Sequence, residues 1–168
     1  MDPQRADTTV SDIREQSGKA IAISCDVSDR SLVEAATART LDEYGQIDIL
    51  INNAVSPYLT GSLEELDDVD WDRNFNVKLK GSFYCLRAVV PHMKERHYGK
   101  VVSMASIVGR RGSAEPKSAA YSASKAGTIG LTANMARELG PLQYQRQHHC
   151  SGQHQHSTLT GSTRRLTI

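Results

Sequence analysis

A chain of 168 residues, 39% of them hydrophobic, is long enough for one domain with a real core. Its 20 basic and 19 acidic residues leave a net charge of +1, which argues against nucleic acid as a natural partner. No stretch approaches the roughly eighteen apolar residues of a membrane span, and the polar start Met1-Asp2-Pro3-Gln4-Arg5 is unlike a signal peptide. A cytoplasmic protein is therefore expected, with its scattered cysteines Cys25, Cys85 and Cys150 reduced and lacking metal-ligand spacing.

In chain order, Val10 and Ile13 with their neighbouring charges predict a short helix that Gly18 would close. Ala20 to Cys25 reads as a buried strand with Asp26-Val27 at its carboxyl end, where open α/β sheets bind ligands; Asp26 is equally suited to cap a helix or make a turn. Ser28 and Asp29 open a helix with Leu32, Val33, Ala36, Leu41 and Tyr44 at core spacing, and Gly45 ends it. The strand Ile47 to Ile51 follows, and strand-helix-strand with short connections predicts a right-handed parallel crossover. Trp71 to about Glu95 is the longest periodic segment, with Pro91 marking its last turns. Lys100 to Met104 is a further strand. A loop with Gly109 and Gly112 then leads to an apolar helix over Ala119 to Leu139, which Gly140-Pro141 stops.

On that last helix Tyr121 and Lys125 are four residues apart and share a face. A phenol with an ordinary pKa of ~10 is a poor base at neutrality, and an ammonium one turn away favours its phenolate. Such a tyrosine can exchange a proton with an alcohol or carbonyl oxygen, and a serine hydroxyl such as Ser106 can hold that oxygen in place. Aligned groups of this kind contribute roughly 10²- to 10⁴-fold in rate. Taken alone, a Tyr-x-x-x-Lys pair is most often a solvated surface pair. Here it follows the strand ending before Ser106, the glycine-bearing loop and, further upstream, Ile47-Asp48-Ile49-Leu50-Ile51-Asn52-Asn53-Ala54.

In order and spacing these motifs closely resemble the short-chain dehydrogenase/reductase family, over about Ile21 to Pro141. The resemblance implies a Rossmann-like, doubly wound parallel α/β sheet and reversible hydride transfer between NAD or NADP and a secondary alcohol or ketone. It makes Tyr121 the acid/base. Lys125 would support Tyr121 and hold the nicotinamide ribose, while Ser106 positions the substrate oxygen. Ser103, by contrast, reads as a strand residue. Asp26 and Val27 would meet the adenine, and Asn53 and Ala54 would lie along the cofactor. The segment after Trp71 and the Tyr121 helix would pair subunits of a homo-oligomer, although packing within one chain accounts equally well for part of their apolar face.

Three departures from the family pattern stand out. Val55 replaces the glycine of Asn-Asn-Ala-Gly, which would be strained if that backbone needed φ > 0. Lys78 stands where relatives carry the asparagine of Asn-x-x-Gly, which supports a water linking the lysine to solvent; an ammonium there would repel Lys125. Ser106 and Tyr121 are fifteen residues apart, so Arg110 to Lys117 reads as a slightly extended loop, an insertion that loops absorb cheaply.

The two ends also differ. The glycine-rich phosphate-binding turn of the family does not occur in this sequence, so the fold is expected to lack its first βαβ portion and its last strands. Residues 1–141 then form a partial domain and 142–168 a non-homologous, disordered tail without apolar period. Its His148, His149, Cys150, His154 and His156 suggest a metal tract less well than a shift of reading frame, and no metal site is expected. With one base removed near Leu142 the tail can read Tyr-Asn-Ile-Ser-Val-Asn-Thr-Ile-Ala-Pro-Gly, as relatives continue. The alternative to an active oxidoreductase is accordingly a non-catalytic remnant that cannot bind the cofactor.

Overall fold

The computed structural model describes residues 3–56, 62–115 and 118–140, together with the backbone of 146–151 and 165–167. Helix α1 (Pro3–Glu15) forms where the apolar spacing placed it. The left-handed residue after it is Ser17 (φ 62°), not Gly18. Gly18 donates its N–H to the Ile13 carbonyl at 2.9 Å, and a Cβ on it would lie 2.7 Å from Ile13 Cγ2. Gly18 is thus required for close approach rather than for its dihedral angle.

Ala20 to Cys25 is not a strand. Its alternating exposure shows that it lies along the surface, and no described strand runs beside it to take up its N–H and C=O groups. Asp29 caps α2 (Arg30–Tyr44) by accepting the Ser31 and Leu32 N–H groups at 2.7 and 3.3 Å. Gly45, at φ 74°, closes the helix by donating to the Leu41 carbonyl at 2.7 Å. Val33 and Ala36 are buried as the spacing required, but Leu32 is 42% exposed.

Strand β1 (Ile49–Asn52) enters the core through Ile47, Ile49 and Leu50. Buried Asp48 pins its start, pairing with Arg96 at 2.7 Å; a second Arg96 nitrogen donates to the Ile47 carbonyl at 3.2 Å. The predicted long helix is observed as three joined pieces: α3 (Asp68–Asn74), a π-helical stretch over Phe75–Lys80, and α4 (Gly81–Glu95), which runs past Pro91. The wider turns of a π stretch are uncommon and occur frequently at functional sites. Gly81 ends this one against Val27, where a Cβ would come within 2.7 Å of Val27 Cγ2.

Strand β2 (Lys100–Ser106) lies parallel to β1, with Leu50 beside Val101 and Asn52 beside Ser103. The short α5 (Val108–Arg111) and the long α6 (Ser118–Leu139) follow. In the tail, expected to be without structure, the backbone of β3 (Arg146–Ser151) pairs parallel to β2 and that of β4 (Arg165–Thr167) parallel to β1. An open strand edge offers N–H and C=O groups to any passing backbone, whatever its side chains. The other tail residues, the histidine-tract side chains, Pro141 and the loop residues Pro116 and Lys117 lie outside the described residues.

The sheet order is β3-β2-β1-β4, all parallel. The chain steps one way from β1 to β2 to β3, with α4 and α6 as crossovers, which places both helices on one face. There Leu50, Val33, Cys85, Val89, Met93 and Leu139 form the core. Burial pushes the Cys85 thiol up to about 12, so it behaves as a small apolar residue.

Candidate active site

The carboxyl ends of β1 and β2 lie side by side, and Asn52 ties them by donating Nδ2 to Ser103 Oγ at 3.4 Å. Asn52 Oδ1 is buried without a hydrogen-bond partner among the described residues. Helix α6 crosses β2 and brings Tyr121 and Lys125 to this edge. Lys125 is 4% exposed, and its ammonium donates to the carbonyl of Met104 and lies 5.8 Å from the centre of the Tyr121 ring. Burial lowers its pKa from the ordinary lysine value. Ser106 is two residues further along the strand that Lys125 grips. It is buried, and its Oγ accepts the Val108 N–H at 3.4 Å, opening α5. Gly109 lets α5 sit on α6, for a Cβ there would lie 2.8 Å from the backbone of Lys125 and Ala126.

A cavity of about 640 Å³ opens beside Tyr121, bordered by Val55, Ser56, Val108 and Ser118. Val55 is not among the residues with positive φ, so the valine in place of glycine is unstrained and puts an exposed apolar side chain at the rim. Of the other candidates, Asp26 is exposed and its carboxylate accepts the Ser28 N–H and hydroxyl at 2.9 and 2.7 Å, a turn-forming role. Val27 is buried in the hydrophobic core, and Ala54 packs against that core. Asn53 is exposed.

Sequence reasoning missed Ser56 and Asn74, and it treated Lys78 only as a departure. Lys78 is 3% exposed, with its ammonium 5.2 Å from the Tyr121 ring centre. It donates to Asn74 Oδ1 at 2.6 Å and to Ser56 Oγ. Burial and the nearby Lys125 charge lower it to about 8. Asn74 lies one turn before Lys78, a spacing visible in the sequence. Nothing in the sequence marks Ser56, which comes from a separate loop.

A parallel sheet with helical crossovers and a tyrosine-lysine pair at its carboxyl edge defines a dinucleotide-type α/β oxidoreductase fold. The family model for short chain dehydrogenase matches residues 1–158, and the chain belongs to that family. Among similar proteins, the BbsD subunit of a hydroxy(phenyl)methylsuccinyl-CoA dehydrogenase from Thauera aromatica is 35% identical over 140 residues, 83% of this chain and 55% of that protein. A 2-dehydro-3-deoxy-L-rhamnonate dehydrogenase (NAD(+)) from Sphingomonas sp. is 41% identical over 117 residues, 70% of this chain and 46% of that protein. A metagenomic short-chain oxidoreductase solved in complex with NADP superposes with a TM-score of 0.82 at 29% identity, covering 89% of this chain and 67% of that one. The chain spans about half the length of the curated relatives it matches.

The family implies a nicotinamide cofactor, and the residues present fit its nicotinamide-ribose end. Lys125 spends one of three N–H donors on Met104, Asn52 Oδ1 awaits a donor, and a cavity lies beside Tyr121. Among the described residues, no helix is long and apolar enough to cross a membrane.

Proposed function

We propose that this site performs NAD(P)-dependent interconversion of a secondary alcohol and a ketone. The observation that carries the reading is the pairing of Tyr121 with Lys125 on one face of α6, clamped to the carboxyl end of β2 beside a cavity. A nicotinamide held by Lys125 would supply the hydride acceptor for oxidation of the carbinol carbon and the hydride donor for reduction of the ketone. Tyr121 accepts the alcohol proton in the first direction and delivers it to the carbonyl oxygen in the second. The Ser106 hydroxyl donates a hydrogen bond to that oxygen and fixes its place. Lys125 supplies the positive charge that steadies a deprotonated Tyr121 oxygen, and its spare donors hold the ribose.

Asn53 and Ala54 line the cofactor's path, with Asp26 and the backbone of buried Val27 at its adenine end. Either NAD or NADP is compatible with these residues. The setting is cytoplasmic. An exposed apolar groove lined by Phe75, Leu79, Phe83, Gly127 and Leu131 supports pairing of subunits into a homo-oligomer.

Tyr121→Phe tests the assignment, since it removes one oxygen and keeps the ring. Hydride transfer to a panel of ketones, followed by nicotinamide absorbance, is expected to fall by roughly 10²-fold or more. Undiminished turnover in the variant would show that Tyr121 is not the acid/base.

A further inference from the structure

Beside the assigned groups the site holds a second buried cation with its own route to the cavity. Lys78 belongs to the π-helical stretch, whose wide turn carries its side chain beneath the Tyr121 ring rather than out to solvent. Its surroundings are specified closely. Asn74 donates Nδ2 to the Asp70 carbonyl at 2.8 Å, which turns Oδ1 toward Lys78. The Ser56 hydroxyl reaches the same Oδ1 at 3.5 Å, and its oxygen also accepts from Lys78. Ser56 lines the cavity next to Tyr121. Ser56 therefore contacts Nζ through its hydroxyl and also borders the cavity.

We propose that Lys78 is a positioning residue that handles protons for this site: it exchanges a proton with the cavity through Ser56 and shares with Lys125 the positive charge facing Tyr121. In the forward step the Ser56 hydroxyl turns from Asn74 Oδ1 and gives its proton to a water molecule in the cavity, forming hydronium, as Nζ passes a proton to Ser56 Oγ and is left a neutral amine. The reverse step reloads it. The proposal rests on reading Tyr121 and Lys125 as the acid/base pair.

The groups facing Lys78 leave its ammonium without a counter-charge. From α6 come Tyr121 and Lys125. From α3 comes neutral Asn74, the Asp70 carboxylate being turned to Arg73 at 2.9 Å. From the loop after β1 comes Ser56. From α4, the Ser82 hydroxyl donates to the Lys78 backbone carbonyl at 2.7 Å, and Lys80 on the same stretch lies over the Tyr84 ring. None of the described carboxylates forms an ion pair with Lys78.

The test is nitrogen-15 and carbon-13 NMR of labelled lysine side chains in the full chain, with the Lys78 signal assigned by its loss in Lys78→Arg. The Lys78 amine is expected to titrate near pH 8 rather than near 10.5, and its midpoint to rise in Lys125→Met. Ser56→Ala, the smallest change to the route, is expected to slow exchange of the Lys78 ammonium protons with water several-fold in mildly acidic buffer. A midpoint near the ordinary lysine value, or an exchange rate indifferent to Ser56→Ala, overturns the proposal. Failure of the proposed oxidoreduction leaves these titrations unchanged, so the two readings fail separately.

Discussion

Lys78 and Lys125 place two buried ammonium groups at the site, and neither makes an ion pair with a described carboxylate. Lys78 titrates at about 8 in the fold and at 10.5 when unperturbed. Between those values the unfolded chain binds more protons, so stability rises with pH across that window, and the whole penalty applies below it. At about 1.4 kcal/mol per unit the shift corresponds to an upper limit of roughly 3 kcal/mol. Lys78→Met removes that penalty but leaves Ser56 and Asn74 short of a partner, a loss of about 1 kcal/mol or more. Thermal melts of the variant are therefore expected to show higher stability than the parent at neutral pH, with the gain shrinking as pH rises from about 8 toward 10.5. A gain independent of pH would mean that Lys78 is not titrating in the fold.

At this scale the sequence was readable where partners share one helix. Tyr121 and Lys125 are one turn apart, so their juxtaposition follows from helical period alone. Ser56 meets Lys78 across a loop and twenty-two residues, and no periodicity encodes such a contact. The strain anticipated at Val55 did not arise because its backbone avoids positive φ.

Elements whose ends carry their own chemistry were legible. Asp29 and Gly45 cap α2 as their types require, since each satisfies backbone groups the helix leaves open. Ala20 to Cys25 failed because a strand needs a neighbour, a condition outside its own residues. The π stretch also escaped notice, as one extra residue per turn barely disturbs an apolar stripe. Two glycines test how α5 and α6 are built. Gly109→Ala forces Cβ against the α6 backbone and is expected to destabilise by about 1–3 kcal/mol. Gly130, also on α6, has nothing within 4 Å of an added Cβ, so Gly130→Ala is expected to stabilise by about 0.5–1 kcal/mol through helix propensity alone. Denaturant midpoints of the two variants should move in opposite directions. Equal shifts would contradict the packing of α5 on Lys125.

For the whole molecule, the parallel pairing of β1 with β2 agrees with the succession of strands and helices. The crossover expected between residues 20–25 and β1 is absent because the first segment is not a strand, and the strands of the tail were not foreseen. Residues 146–151 pair with β2 although their side chains have no strand pattern. With one base removed near Leu142, the same six positions would read Val-Asn-Thr-Ile-Ala-Pro, and a frame shift at that point remains our proposal for the tail. The central claim concerns the carboxyl edge of β1 and β2, where Lys125 is assigned to hold the nicotinamide ribose. The most direct measurement is a titration of NADH and NADPH against the full chain, followed by nicotinamide fluorescence, in parallel with Lys125→Met. Saturable enhancement with one of them, weakened by about tenfold or more (~1.4 kcal/mol) in the variant, is the predicted result. No enhancement at millimolar cofactor, or equal binding by the variant, would contradict it.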